Sequence, residues 1–481
     1  MHGMGSTSER HRHYEALLGD LGQRHLLAFW GELAETQKQQ LLDDLDRIDF
    51  KRVTPALIDQ MVRCKPPFHK PAKIDPPDAF PAKPDIRRID EYRKARAAGE
   101  DAIRAGAVAA FTVAGGEGTR LGFNGPKGAF AISPIRNATL FQLFAEQLLG
   151  VRRRYGRQPH WYIMTSLGNH AATEAFFEQH EFFGLGRDNL TLFRQGQMPV
   201  FHPDGRIALA EKHRVALSPD GHGGSLRAIA DSGALAQMRK HGVQHISYFQ
   251  VDNPLVQAID PLFIGLHATT GSQMSSKAVS KANDFERVGV FCRMDGRLGV
   301  IEYSDLPEEL AVARNPDGSR RFDAGSIAIH ALDRTFVEQV TTAGAAAQLP
   351  WHRAEKKVDV LDDAGRLVRP DKPNVVKLEL FVFDAIPLAR NPLVLFTRRE
   401  EEFSPVKNAD GADSPATTRQ DLLRRAARWL ESCGITVSRD ASGNPATMLE
   451  ISPAFALDAA DLQTQLRQRP TLKPGETRLF A

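Results

Sequence analysis

V-A-G-G-E-G-T-R-L-G-F-N-G-P-K-G, residues 113–128, continues the apolar run A-V-A-A-F-T-V that begins at Ala107. Such a run reads as a buried strand. The five glycines that follow before Pro126, at Gly115, Gly116, Gly118, Gly122 and Gly125, are too many for an ordinary turn. Glycine lets the backbone curl so that successive N–H groups face one point, with no side chain to obstruct an anion. Arg120 and Lys127 add two cations, so the guest this pattern fits is a polyphosphate. Neither familiar phosphate loop matches: Lys127 is followed by Gly128 rather than the hydroxyl residue of GxxxxGKS/T, and Leu121 stands where GxGxxG has its third glycine. The alternative is a glycine-rich surface loop with two solvated charges; the succession of strand, glycines, Arg and Pro-Lys-Gly favours phosphate.

Around this stretch the chain alternates. A helix is expected over 89–104 and another over 139–155, where Leu140, Phe144 and Leu148 recur every four residues. Then come a strand at 161–164, a helix at 171–178, a strand at 190–193, a helix at 226–238 and a strand at 245–251. Alternation of this kind argues an α/β sheet covered by helices, with ligands beyond the carboxyl ends of the strands. The glycine loop, Gln195 and Asp252 all follow strand ends. From 274 to 303 the pattern changes to shorter strands, a meander or mixed-sheet extension, and 327–332 reads as a further strand. Residues 375–386 suit helix and strand equally, and a helix over 418–431 opens a small terminal domain. Upstream, 14–50 shows amphipathic helices that need a partner surface, and 65–85 is a proline-rich connector without regular structure. The expected division is 1–100, helical segment and connector; 101–400, catalytic α/β domain; 401–481, C-terminal domain.

Composition narrows the function. Lys and Arg total 62 against 59 Asp and Glu, a net charge of +3 in 481 residues, which lacks the field that nucleic-acid binding needs. Cys64, Cys292 and Cys433 stand far apart, so neither a disulfide framework nor a thiolate zinc site is indicated. The first residues lack the apolar stretch of a secretory leader, and no run of about 18 apolar residues occurs. The expectation is a cytoplasmic protein with no membrane partner.

Three further stretches carry chemistry. Ser218-Pro219-Asp220-Gly221-His222-Gly223-Gly224 precedes a helix, and its amides can read a base edge or cap that helix. Tyr248-Phe249-Gln250-Val251-Asp252-Asn253 delivers Asp252 at a strand end, where it can hold Mg²⁺ with substrate phosphates or begin a turn. Glu402-Phe403-Ser404-Pro405-Val406-Lys407-Asn408-Ala409-Asp410-Gly411 holds Lys407 behind a Ser-Pro turn, with Lys377 upstream in N-V-V-K-L-E. No G-x-S-x-G elbow and no H-E-x-x-H occur, so covalent catalysis is not advertised.

Together these stretches resemble the UDP-sugar pyrophosphorylase family, most closely its UDP-N-acetylhexosamine pyrophosphorylase branch. The resemblance runs through 114–122, Pro126 to Gly128, Gln195-Gly196, Val251 to Asn253, K-x-E-x-F-V-F-D at 377–384 and E-F-S-P-x-K-N-A-D at 402–410. It implies a doubly wound α/β nucleotidyltransferase core of the glycosyltransferase-A-like kind, with mixed sheet, N-terminal helical segment and small C-terminal domain. It also implies a uridylyltransferase that joins UTP to N-acetylglucosamine 1-phosphate with Mg²⁺, or to glucose 1-phosphate or another hexose 1-phosphate, working as a monomer or weak dimer. Arg120, Lys127 and Lys407 would then be catalytic. Gly115, Gly116, Gly118, Thr119, Gln195, Gly221 and His222 would bind the nucleotide, and Asn253, Glu302, Ser326, Lys377 and Phe383 the sugar phosphate. Asp252 would be the metal ligand. The chain has His222, Asp323 and Ser326 where that branch usually has Asn. Those positions bear on which sugar is taken.

Overall fold

The computed structural model describes residues 6–65, 71–342 and 349–481. They form two compact units, neither continuous in sequence. One comprises the described residues of Pro71–Arg194, Ala228–Gln348 and Ala385–Ala481, the other those of Met1–Lys70, Gln195–Arg227 and Leu349–Asp384. The division differs from the consecutive one expected at 100 and 400, and hydrophobic burial gives the reason. The helices Thr7–Asp20 and Glu35–Asp46 place Leu18, Leu41, Leu42 and Leu45 against Phe201, Ile207, Val376 and Leu378. Their partner surface therefore comes from two later segments. Asp44, almost fully buried, accepts hydrogen bonds from Arg214 Nε at 2.7 Å and Val215 N at 3.1 Å in the same unit.

The larger unit is built on a mixed sheet that counts eleven strands among the described residues. Val108–Val113 lies between two parallel neighbours, Trp161–Thr165 and His245–Gln250, and Leu190–Arg194 extends the parallel set beyond Trp161–Thr165. The first crossovers thus build to one side of Val108–Val113 and the later one to the other. This is a topological switch point, and the loop of 114–128 and Asp252 follow the carboxyl ends of the two strands that flank it. Ala324–Asp333 then runs antiparallel to His245–Gln250, followed by Met274–Ser280, Leu393–Phe396 and Ala79–Phe80.

The proline-rich stretch departs from expectation: outside 66–70, which are not described, Ile74–Asp75 pairs with Val290–Met294 and Ala79–Phe80 closes the sheet edge. Proline lacks an N–H to donate, and edge strands tolerate that. The helix expected over 226–238 is two, Gly224–Asp231 and Ala234–Lys240, separated at Gly233 with φ +81°. Residues 375–386 resolve into both readings, a strand Val375–Glu379 followed by a 3₁₀ turn from Val382. The helix Pro261–Thr269 was not expected, although Asp260, which caps Leu262 N, and Pro261 in the first turn signal its start. It crosses Ile89–Arg104 so closely that a Cβ on Gly99 would lie 1.8 Å from Pro261 O, and one on Gly265 1.6 Å from Ala95 O.

Candidate active site

The glycine loop is held from inside and open outside. Gly118 N donates to Gly125 O at 2.9 Å, Lys127 N to Gly116 O at 3.1 Å, and Asn169 Nδ2 to the carbonyls of Ala114 and Gly116 at 3.0 and 3.2 Å. The amides of Gly115, Gly116, Glu117, Thr119 and Arg120 donate to no acceptor among the described residues. Gly116, Glu117, Thr119 and Arg120 are exposed. Unsatisfied N–H groups gathered on one curl make an anion-binding concavity. Gly118 and Gly128 are required by packing, since a Cβ would lie 2.6 Å from the Phe123 side chain and 2.2 Å from the Phe141 ring. Asn169, fully buried, is a residue that the sequence reading missed; its place after a strand in S-L-G-N-H gave only the signal of a helix start.

Within this loop Lys127 meets Asp252 and the backbone just before Lys407. Lys127 Nζ lies 4.0 Å from Asp252 Oδ2 and donates to Val406 O at 3.4 Å. Val406 N in turn donates to Asp252 O at 2.8 Å. Lys407 follows directly, its N–H on Asp413 O at 2.7 Å and its ammonium 5.7 Å from the centroid of the Phe403 ring. Asp413 was also missed. Burial pushes its carboxyl above the usual range while Lys407 pulls it back, and Asp252 is among the charges it feels.

Asn253, expected at the sugar phosphate, has its side chain engaged on both sides. It donates from Nδ2 to Glu402 O at 2.7 Å and accepts at Oδ1 from Ser404 N at 3.1 Å. Its amide clips the V-D-N strand end to the E-F-S-P-V-K segment. Behind the clip, Lys277 is buried between two carboxylates, 2.8 Å from Asp260 Oδ2 and in direct contact with Glu402. Burial would lower the Lys277 pKa, but Asp260 and Glu402 outweigh it and raise it, keeping the ammonium charged. Glu402 Oε2 also accepts from Gln257 N at 3.2 Å, so this cation fastens both segments that carry the site.

Glu302 and Ser326 meet around Gly289: Ser326 N donates to Gly289 O at 2.7 Å, and a Cβ on Gly289 would lie 3.3 Å from Glu302 Oε1. Asp323, one of the positions that depart from the N-acetylhexosamine pattern, accepts from Lys281 N at 3.1 Å and from Arg320 at 3.5 Å. Its carboxylate supports the fold locally, which leaves Ser326 as the departure in this unit that shares Gly289 as a neighbour with Glu302.

In the other unit Gln195 donates from Nε2 to Gly221 O at 2.7 Å and Asp220 Oδ1 at 3.1 Å, bracing the turn before His222. Gly221 has φ +84°, and a Cβ there would lie 2.4 Å from Leu380 O, so glycine is required. Asp220, nearly fully buried, is the missed organiser: the Cβ positions of Gly196 and Gly224 lie 2.7 and 2.1 Å from its carboxylate. His222 stacks on Phe381 with ring centroids 5.2 Å apart and lies 5.8 Å from Phe383. Its Nδ1 accepts from Val382 N at 3.2 Å, which puts the imidazole proton on Nε2. Burial, then neighbouring His352, push its pKa down to about 4, so it is neutral at physiological pH. Phe383 is buried, whereas Phe381 offers more surface. Lys377, on Val375–Glu379, forms no ion pair among the described residues, and burial holds its ammonium below the usual range.

A free-amide loop at a switch point, flanked by lysine and a strand-end carboxylate, defines an α/β protein whose site suits a polyphosphate ligand. A family model described as UTP–glucose-1-phosphate uridylyltransferase matches residues 70–474, and the chain belongs to that family. It is 37% identical to UDP-N-acetylhexosamine pyrophosphorylase-like protein 1 of Homo sapiens, over 95% of each chain. It is 34% identical to UDP-N-acetylglucosamine pyrophosphorylase of Saccharomyces cerevisiae, over 87% of this chain and 91% of the relative. The crystal structure of the Trypanosoma brucei uridine diphosphate N-acetylglucosamine pyrophosphorylase in complex with inhibitor superposes with a TM-score of 0.82 at 25% identity, over 100% of this chain and 99% of that one.

Proposed function

We propose that the protein makes UDP-N-acetylglucosamine and pyrophosphate from UTP and N-acetylglucosamine 1-phosphate. The observation that carries this reading is the set of unsatisfied amides at Gly115, Gly116, Glu117, Thr119 and Arg120, with Gly118 N spent on Gly125 O, beside Lys127 and Asp252. A phosphate oxygen of the sugar phosphate bonds to the α-phosphorus of UTP as the bridge to the β-phosphate breaks, and pyrophosphate leaves with that electron pair. Positioning and charge neutralisation then account for catalysis. The loop amides, including those of Gly115, Gly116 and Thr119, take the triphosphate; Arg120, Lys127 and Lys407 neutralise charge that develops on it. Gln195, Gly221 and His222 serve the uridine. Glu302, Ser326, Lys377 and Phe383 serve the sugar phosphate, and Asn253 acts through the backbone it clips.

Mg²⁺ fits Asp252, a hard oxygen ligand beside the loop, with the Asp413 carboxyl near enough to sense it. The described residues contain no cluster of three metal-ligating side chains, so phosphates and water would complete the shell. Bound there, the ion would neutralise phosphate charge.

The relatives named for UDP-N-acetylglucosamine support the choice of sugar, while Ser326 keeps glucose 1-phosphate or another hexose 1-phosphate as the second reading. A panel of sugar 1-phosphates with UTP and Mg²⁺, followed by pyrophosphate release, should rank N-acetylglucosamine 1-phosphate first. A higher kcat/KM for glucose 1-phosphate would overturn the sugar, and no release from any would overturn the reaction.

We further place the protein in the cytoplasm, as a monomer or weak dimer without nucleic-acid or membrane partners. The near-neutral net charge supports this. No helix among the described residues is long and apolar enough to cross a membrane. Sedimentation at micromolar concentration tests the assembly, a stable higher oligomer being the contrary result.

A further inference from the structure

Behind the V-D-N and E-F-S-P segments the larger unit has a partly open cavity of about 300 Å³, bordered by Leu255, Glu401, Arg425, Trp429, Ile451 and Leu457. That volume is at the lower end of small-molecule sites, about 300–1,000 Å³. Its wall mixes apolar surface with charge, and the charges pair off unevenly. Arg428 is bound to Glu401 at 2.8 Å, Arg398 to Glu400 at 2.7 Å, Asp458 to Arg154 at 2.8 Å, and Glu402 to Lys277.

Arg425 is the remainder. It forms no ion pair among the described residues, and its Nη1 alone donates, to Leu255 O at 2.8 Å and Glu401 O at 3.3 Å. Nε and Nη2 donate to no described residue, though they form the edge of the guanidinium that binds carboxylate or phosphate in bidentate fashion. The guanidinium carbon lies 5.1 Å from the centroid of the Trp429 ring, and burial lowers its pKa against the opposing pull of the Glu401 and Glu402 charges, neither of which it contacts as an ion pair. A half-buried guanidinium whose bidentate edge is unused on a cavity wall is suited to take a carboxylate or phosphate there.

We propose that this cavity binds a small organic anion, distinct from the substrates, whose carboxylate or phosphate head pairs with Arg425 and whose body packs on Trp429 and Leu457. The occupant would sit directly behind the active segments. Arg425 Nη1 holds the carbonyl of Leu255, two residues beyond Asn253, and that of Glu401, which precedes Glu402.

The test is calorimetric titration of the full-length protein, with saturating UDP-N-acetylglucosamine and Mg²⁺ present, by inorganic phosphate, glucose 6-phosphate and citrate in turn. At least one organic anion is expected to bind at a single site. Binding by the sugar phosphate but not citrate assigns a phosphate head, and the reverse a carboxylate. Arg425→Met should weaken binding about tenfold or more, the loss of one charge-assisted pair. Ser432→Trp, which fills the cavity rim and leaves Arg425 in place, should weaken it likewise and decides the matter if Arg425→Met does not fold. No binding by any probe, or binding unchanged in the folded variants, overturns the proposal.

Discussion

Lys127 Nζ lies 4.0 Å from Asp252 Oδ2, joining the loop after one central strand to the turn that follows the neighbouring strand of the sheet. The two side chains are about equally and only slightly exposed, 15% and 14%. In that setting a cation interacts more strongly with a transferring phosphoryl group than it would in water. Lys127→Ala is therefore expected to lower turnover on the order of 10²-fold or more, as for loss of one transition-state donor. Pyrophosphate release at saturating substrates measures it, and wild-type turnover would remove Lys127 from the chemistry.

Asp252→Asn keeps the shape of the strand end and removes the carboxylate. The expected outcome is a higher Mg²⁺ concentration for half-maximal turnover. A metal titration that superimposes on the wild type would exclude Asp252 as a ligand.

Lys277→Met leaves Asp260 and Glu402 buried without their cation. Breaking a buried pair by removing one partner costs about 3–5 kcal/mol. Urea unfolding should show that loss. Lys277→Met combined with Glu402→Gln should recover part of it, whereas a double variant no more stable than Lys277→Met would argue against the pairing.

Gly99→Ala would put a methyl carbon 1.8 Å from Pro261 O, and neither backbone can yield without separating the two helices. The expected destabilisation is at least that of an overpacked core, about 1–3 kcal/mol. Ala98→Gly, next to it, serves as the propensity control in thermal unfolding.

Stability should also fall with acid below neutrality. Burial lowers the pKa of His222 and His160 to about 4 and of His267 to about 3. The unfolded chain takes up these protons near its ordinary value of about 6.5. The unfolded state thus binds more protons as pH drops from that value, and stability present above it is lost toward the folded pKa values. The urea midpoint should be level above neutrality and decline between these limits. His222→Gln should flatten part of the decline.

Much of this was legible in the chain because the governing forces are local. Apolar periodicity places Ile89–Arg104 and Leu140–Tyr155, and an apolar run ending in glycines places both the central strand and its loop. Hydrogen bonds from residue to near neighbour, and the steric freedom of glycine, depend on sequence within a few positions. The resemblance added the chemistry those elements carry.

Tertiary structure alone decided how side chains are used. Asn253 is bound to backbone at 402 and 404, Asp323 supports Lys281 N, Asn169 and Asp413 hold the segments around the glycine loop, and Asp220, in the other unit, braces the turn before His222, none with a sequence signal that set its role apart. The N-terminal helices find their core in two distant segments, and Lys277 finds Asp260 and Glu402. Such pairings arise from the order of strands in the sheet, which brings together groups far apart in sequence. A buried polar group must satisfy itself with whatever that order presents, so its role follows from neighbours that no local pattern specifies.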